Sequence, residues 1–244
     1  MTSAAPDQTF TIPVEGGGLP VQLFLPTAGS GSGLVLFQEI FGVTDYIRSR
    51  ARDLAGLGYV VLVPESYWRL GSPVLGESAE DLGEAMATSQ RLDWGQTIAD
   101  AVAAHRALAA RPEVTGATGL MGFCFGGGLA WATAAALADG VADGAAPADV
   151  LVAYYGSQIP GSLDLADKVT LPQLHHWGAA EQFIPAEGVT AVEQAVTRAG
   201  GTFRLWDGAG HAFDNPSPAF HHAEASKGAW RVTTGWLGEH LPTA

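Results

Sequence analysis

Between residues 117 and 137 the chain passes from a short apolar run into a glycine-flanked turn, Gly122-Phe123-Cys124-Phe125-Gly126, and on into an alanine-rich, helix-prone stretch. A strand that turns this abruptly into a helix packs the two backbones together. Flanking side chains would clash there, so glycine is needed on both sides. The apex residue is Cys124, the only cysteine in the chain. Such a turn exposes the sulfur at the sheet edge and places it at a helix N-terminus, which favours negative charge. It also aims the next backbone N–H, that of Phe125, at a developing oxyanion. G-x-C-x-G is therefore the pattern of a nucleophile-bearing elbow, with sulfur in place of a serine oxygen. The competing reading is a buried structural cysteine beside a glycine-rich turn.

The remaining sequence supplies the scaffold that such a turn needs. Residues 10–14 and 21–25 read as an opening pair of strands closed by Gly16-Gly17-Gly18. Short apolar or β-branched runs at 34–37, 59–63, 149–155, 174–177 and 202–206 read as further strands. Helical patterns lie at 46–57, 94–110, 187–199 and 218–240. A hairpin followed by strand–helix alternation predicts a mostly parallel central sheet flanked by helices, in one α/β domain spanning residues 1–244. In such sheets chemistry sits at the carboxyl ends of the strands. Residues 65–90 break the pattern with Gly, Ser, Pro and scattered acids, and so long an excursion inside a compact domain is expected to be functional.

Composition narrows the classes. A chain of 244 residues buries a large core without help from disulfides, and one cysteine permits no internal disulfide. No Cys/His cluster has zinc spacing, so neither a metal nor a cofactor is expected. With 12 basic against 25 acidic residues, and Lys168 and Lys227 the only lysines, the chain has no basic patch for nucleic acid. The N-terminus lacks the basic start and apolar core of a signal peptide, and no apolar run reaches membrane-spanning length. The expectation is a cytoplasmic protein, a monomer or small homo-oligomer, acting on a small molecule.

Elbow enzymes run nucleophile, acid, histidine along the chain. Of the 7 histidines only His211, in Gly208-Ala209-Gly210-His211, occupies a loop just after a strand, the place for a general base. Glu181 follows the strand at 174–177 and fits the orienting acid, while Asp164 and Asp167 precede that strand, at the wrong end of the sheet. After the strand at 34–37 comes Gln38-Glu39-Ile40-Phe41-Gly42, where Glu39 can point into a pocket and the Ile40 N–H can serve as second oxyanion donor. Arg69, flanked by Trp68, lies just past the strand at 59–63. It could bind a substrate carboxylate while the aromatics hold an apolar substrate body, or it could pair with a surface acid such as Glu77 or Glu80.

These stretches together resemble the dienelactone hydrolase family, cysteine-nucleophile members of the α/β-hydrolase fold. QEIFG at 38–42, PESYWR at 64–69, GFCFGG at 122–127, YYG at 154–156, GAAEQFIP at 178–185 and GAGHAF at 208–213 recur in that order. The resemblance implies hydrolysis of an ester or lactone with Cys124 as nucleophile, His211 as base and Glu181 as third member, and it adds Tyr155 to the substrate-binding residues. It also implies that Glu39 contacts the resting thiol, so that the thiolate forms only when substrate displaces the carboxylate. Two departures stand out. Glu181 replaces the usual aspartate, and Asp214 and Asn215 stand where dienelactone-processing members carry an arginine. A negative neighbour there would oppose an anionic lactone. Two alternatives follow: a carboxylesterase or thioesterase on a neutral substrate, and a non-catalytic redox-sensing or binding protein on the same scaffold.

Overall fold

The computed structural model describes residues 4–140 and 146–243. Eight strands form one sheet in the order β1-β2-β4-β3-β5-β6-β7-β8. Strands β1 (Gln8–Val14) and β2 (Gly17–Phe24) make the antiparallel hairpin, and β2 pairs antiparallel with β4 (Val60–Pro64). From there β3 (Gly31–Phe37), β5 (Val114–Phe123), β6 (Val150–Tyr154), β7 (Gln173–Gly178) and β8 (Thr202–Trp206) all run parallel to β4. This is the α/β-hydrolase arrangement expected from the sequence.

Burial explains the strand sequences. β3, β4, β6 and β7 are buried at every position, which is why β4 and β6 read as continuous apolar runs instead of alternating ones, while β7 buries Gln173, His175 and His176 as well. Helices α1 (Asp45–Gly56), α3 (Trp94–Ala109), α4 (Phe125–Gly140), α5 (Ala186–Arg198) and α6 (Ala223–His240) flank the sheet. α4 is apolar nearly all round because it is enclosed, with Trp131 and Leu129 fully buried against the sheet and α3. Among the described residues no helix is long and apolar enough to cross a membrane.

Two elements differ from expectation. The excursion at 65–90 contains a short 3-10 turn, Trp68–Leu70, and a helix, α2 (Leu82–Ser89). α2 buries only Ala85 and Thr88 fully, so it lacks the apolar stripe by which a helix is read. The last helix begins at Ala223, not at residue 218, because Phe220 and His221 turn back onto the Ser217 carbonyl and His222 caps α6 by accepting the Ala225 N–H.

The elbow is set by close packing. A Cβ on Gly122 would lie 2.0 Å from the Gly126 carbonyl oxygen, and one on Gly126 would lie 2.4 Å from the Phe37 oxygen. Gly122→Ala should therefore lower stability by about 3 kcal/mol or more, since the blocking atoms are backbone and cannot move aside. Gly83→Ala in α2, with open space at its Cβ, should be neutral or stabilising by up to about 1 kcal/mol. Urea midpoints of the two variants would check this contrast, and equal midpoints would refute it.

Candidate active site

Five loops at the carboxyl ends of β3, β5, β6, β7 and β8 converge on one cavity of about 280 Å³. Cys124 follows β5 with φ 53, a left-handed conformation uncommon for a residue with a side chain. The conformation is held from both sides. The Cys124 N–H donates to the Tyr154 carbonyl at 2.9 Å, and its own carbonyl accepts from Gly127, Gly128 and Ser157. The thiol is 7% exposed and lines the cavity.

His211, after β8, brings Nε2 to 3.1 Å from Cys124 Sγ. Its Nδ1 lies 2.7 Å from Glu181 Oε2, and the Glu181 side chain is only 4% exposed. The second oxygen, Oε1, accepts the Phe183 N–H at 2.8 Å, so the carboxylate is fixed at both ends. Burial alone would depress the His211 pKa. A negative sulfur on Cys124 and the Glu181 carboxylate outweigh it and push the imidazole up to about 10. The edge of Phe183 and the ring of Tyr155 close around the imidazole, with centroids 5.4 and 5.2 Å away. Asp164 and Asp167, the other acids considered, are exposed.

The opposite wall carries a second polar cluster. Glu39 is 1% exposed, and its Oε2 accepts from Asn215 Nδ2 at 2.6 Å. The same amide group reaches Glu77 Oε1 at 2.9 Å, while Asn215 Oδ1 accepts the Ser217 N–H, which fixes the amide's orientation. Glu77 is further held by Thr44 Oγ1 at 3.1 Å. One buried amide thus bridges the cavity wall to the 65–90 excursion. The sequence expectation that Glu39 touches the resting thiol is not met: the thiol's hydrogen-bond contacts are His211 and, at 3.9 Å, Ser157, because Asn215 holds the Glu39 carboxyl instead.

Three further expectations are corrected. Arg69 and Trp68 do not line the cavity, because both are drawn to Asp100 on α3. Arg69 makes two bonds to that carboxylate, at 2.9 and 3.2 Å, and Trp68 Nε1 donates to it at 2.7 Å. Arg69 does pair with an acid, but with neither Glu77 nor Glu80. Tyr155 is fully buried, packs against the His211 ring and is not among the residues that line the cavity. Asp214 does not charge the cavity either, since Arg50 grips it through two bonds of 2.7 and 2.8 Å, joined by Tyr46 and Ser226.

Ile40 lines the cavity, and the Phe125 N–H lies in the first turn of α4, where no intrahelical acceptor exists. Several cavity residues went unread in the sequence, among them Leu82 and Met86 on α2, and Ser157 and Gln158 after β6. The acids and glycines of the excursion gave the only hint of the first two.

The profile of the dienelactone hydrolase family matches residues 19–241. The chain belongs to the dienelactone hydrolase family. It is 31% identical to a carboxymethylenebutenolidase of Pseudomonas sp. (strain P51), over 95% of each chain. It is also 32% identical to a carboxymethylenebutenolidase of Rhodococcus opacus, over 87% of this chain and 83% of that one. The crystal structure of a candidate dienelactone hydrolase from Klebsiella pneumoniae subsp. pneumoniae superposes with a TM-score of 0.78 at 26% identity, covering 95% of this chain and 98% of that one.

Within this family member the Glu39 carboxyl has an unusual environment. Burial is the main cause that pushes its pKa up from 4.5 to about 8, against the lowering effect of the Asn215 amide. The folded protein therefore keeps a proton there that the unfolded chain loses. Below about pH 4.5 both states hold it, and between 4.5 and about 8 rising pH destabilises the fold. Glu39→Gln removes this dependence, so the melting temperature of the variant relative to the parent should climb from about pH 5 to about pH 8. A constant difference across that range would show that Glu39 ionises normally.

Proposed function

We propose that this carboxylic ester hydrolase cleaves an ester or lactone through a thioester on Cys124, with the whole chain acting as one catalytic domain. The observation that carries the reading is the continuous relay Sγ–Nε2 at 3.1 Å and Nδ1–Oε2 at 2.7 Å, opening on the cavity. His211 Nε2 carries the proton taken from the thiol, and the negative Sγ attacks the substrate carbonyl carbon. The negative oxygen of the tetrahedral intermediate accepts hydrogen bonds from the Ile40 and Phe125 N–H groups. The C–O bond then breaks, and His211 returns its proton to the leaving alkoxide; in a lactone that oxygen stays tethered to the acyl group. Water, deprotonated by Nε2, attacks the thioester, and collapse releases the acid and restores the thiol. Throughout, Glu181 holds the Nδ1–H and balances the imidazolium.

The reading of Cys124 as a mere redox sensor is disfavoured by this relay, because oxidation of a thiol requires neither a general base nor an acid fixed behind it. Cys124→Ala should abolish hydrolysis of aryl esters while leaving the melting curve intact, and intact-mass spectra of the parent should show an acyl adduct that the variant lacks. Residual activity near the parent level would remove Cys124 as nucleophile.

Glu181→Gln should lower kcat by less than the roughly 10⁴-fold seen for the comparable change in a serine triad, since a thiol ionises more easily than a hydroxyl. KM should move little. An unchanged kcat would mean that another group balances the imidazolium.

A further inference from the structure

The cavity that holds Cys124 contains no lysine or arginine among its described lining residues. Its walls are Leu82, Met86, Phe183, Ile184 and Phe220, and its uncharged polar groups come from serine and glutamine. Apart from the Cys124 thiol and His211, which already faces Glu181, the one ionisable group in the described lining is Glu39, and it supplies no positive charge in either protonation state. Arg50 is committed to Asp214, Arg69 to Asp100, and Arg48 to Asp45 and Gln22, while Arg91, which follows Gln90 just past α2, is exposed and is not among the residues that line the cavity. The mouth is apolar too, with Met86 43% and Phe183 45% exposed.

From this we infer that the substrate is a small neutral ester or lactone with a hydrocarbon body, and that carboxylate-bearing esters are rejected for want of a counter-charge. The inference rests on the ester-hydrolase reading above and adds the class of substrate to it. A carboxylate entering this cavity would lose water and gain no cation, whereas a methyl group in the same place gains burial against Leu82 and Met86. The cavity's size is at the small end for ligand sites, which suits a short acyl group with part of the ester remaining at the apolar rim.

Two esters with one leaving group separate the cases: p-nitrophenyl butyrate and the mono-p-nitrophenyl ester of succinic acid, which differ at the acyl end by methyl against carboxylate. The expected result is a kcat/KM higher for the butyrate by roughly 100-fold or more. Equal rates, with Cys124 acylated by both, would keep the mechanism and overturn the neutral-substrate inference. No hydrolysis of either, with no acyl adduct on Cys124, would overturn the mechanism and this inference with it. A second measurement asks for the cause. Gln90 is exposed at the end of α2 and lines the cavity, so Gln90→Arg brings a cation to the mouth without burying it. The ratio of the two kcat/KM values should then shift toward the succinate ester by roughly tenfold or more. An unmoved ratio would show that the missing cation is not what excludes the anion.

Discussion

The active-site geometry depends on one close approach, that of the N-terminus of α4 to the ends of β5 and β3. Gly122 and Gly126 have no room for a side chain because each faces carbonyl oxygens of the other segments. That contact forces Cys124 into its left-handed conformation and turns the thiol outward while the helix begins immediately behind it. The Phe125 N–H is then free of intrahelical partners for a physical reason: the first turn of any helix lacks acceptors for its donors. The outward thiol, the helix dipole behind it and the unpaired Phe125 N–H, on which the proposed mechanism draws, are therefore consequences of a single packing constraint.

The wall opposite the imidazole is organised by a different principle. Glu39, Glu77 and Asp214 lie close together in one part of the fold sheltered from water, where unpaired charge is costly. Each is handled separately. Asp214 is neutralised by a two-bond grip from Arg50, and Glu77 spreads its contacts over Thr44 and Asn215. Glu39 shares the Asn215 amide and retains its proton to higher pH than usual. Among the described residues Glu39 Oε1 has no hydrogen-bond partner, so this unused capacity in the wall belongs to a residue that lines the cavity. This cluster also fastens the 65–90 excursion to the sheet, since the Ser217 hydroxyl holds the Glu77 carbonyl and the Leu75 N–H holds the Phe41 carbonyl.

Legibility in the sequence followed the locality of the cause. The elbow could be read because its glycines, apex and helix are consecutive, and His211 and Glu181 could be read because each is the polar residue in a short loop after a strong strand. α2 could not, because a helix lying over a cavity mouth needs no continuous apolar stripe. Arg69 was misread for a related reason. Its position after β4 suggests the cavity, but Asp100, 31 residues further along on α3, wins it through geometry that only the fold creates. Asn215 likewise gives no signal of its own, since its importance comes from two acids that approach it from residues 39 and 77.

The substitution of glutamate for the usual aspartate at position 181 is accommodated by the same kind of close approach that builds the elbow. Gly178 has no space for a Cβ, which would meet the Ala209 oxygen at 2.3 Å, so the loop after β8 crosses directly over the end of β7. The Ala180 N–H bonds the Ala209 carbonyl at 2.8 Å and the Gln182 side chain accepts the His211 N–H at 3.2 Å, tying the acid loop to the base loop. Between these ties the longer side chain of Glu181 spans to Nδ1 with one oxygen and returns to the Phe183 N–H with the other. Phe183 is the aromatic edge against the imidazole and part of the cavity rim. One carboxylate therefore holds both the His211 ring and the Phe183 backbone at the cavity rim.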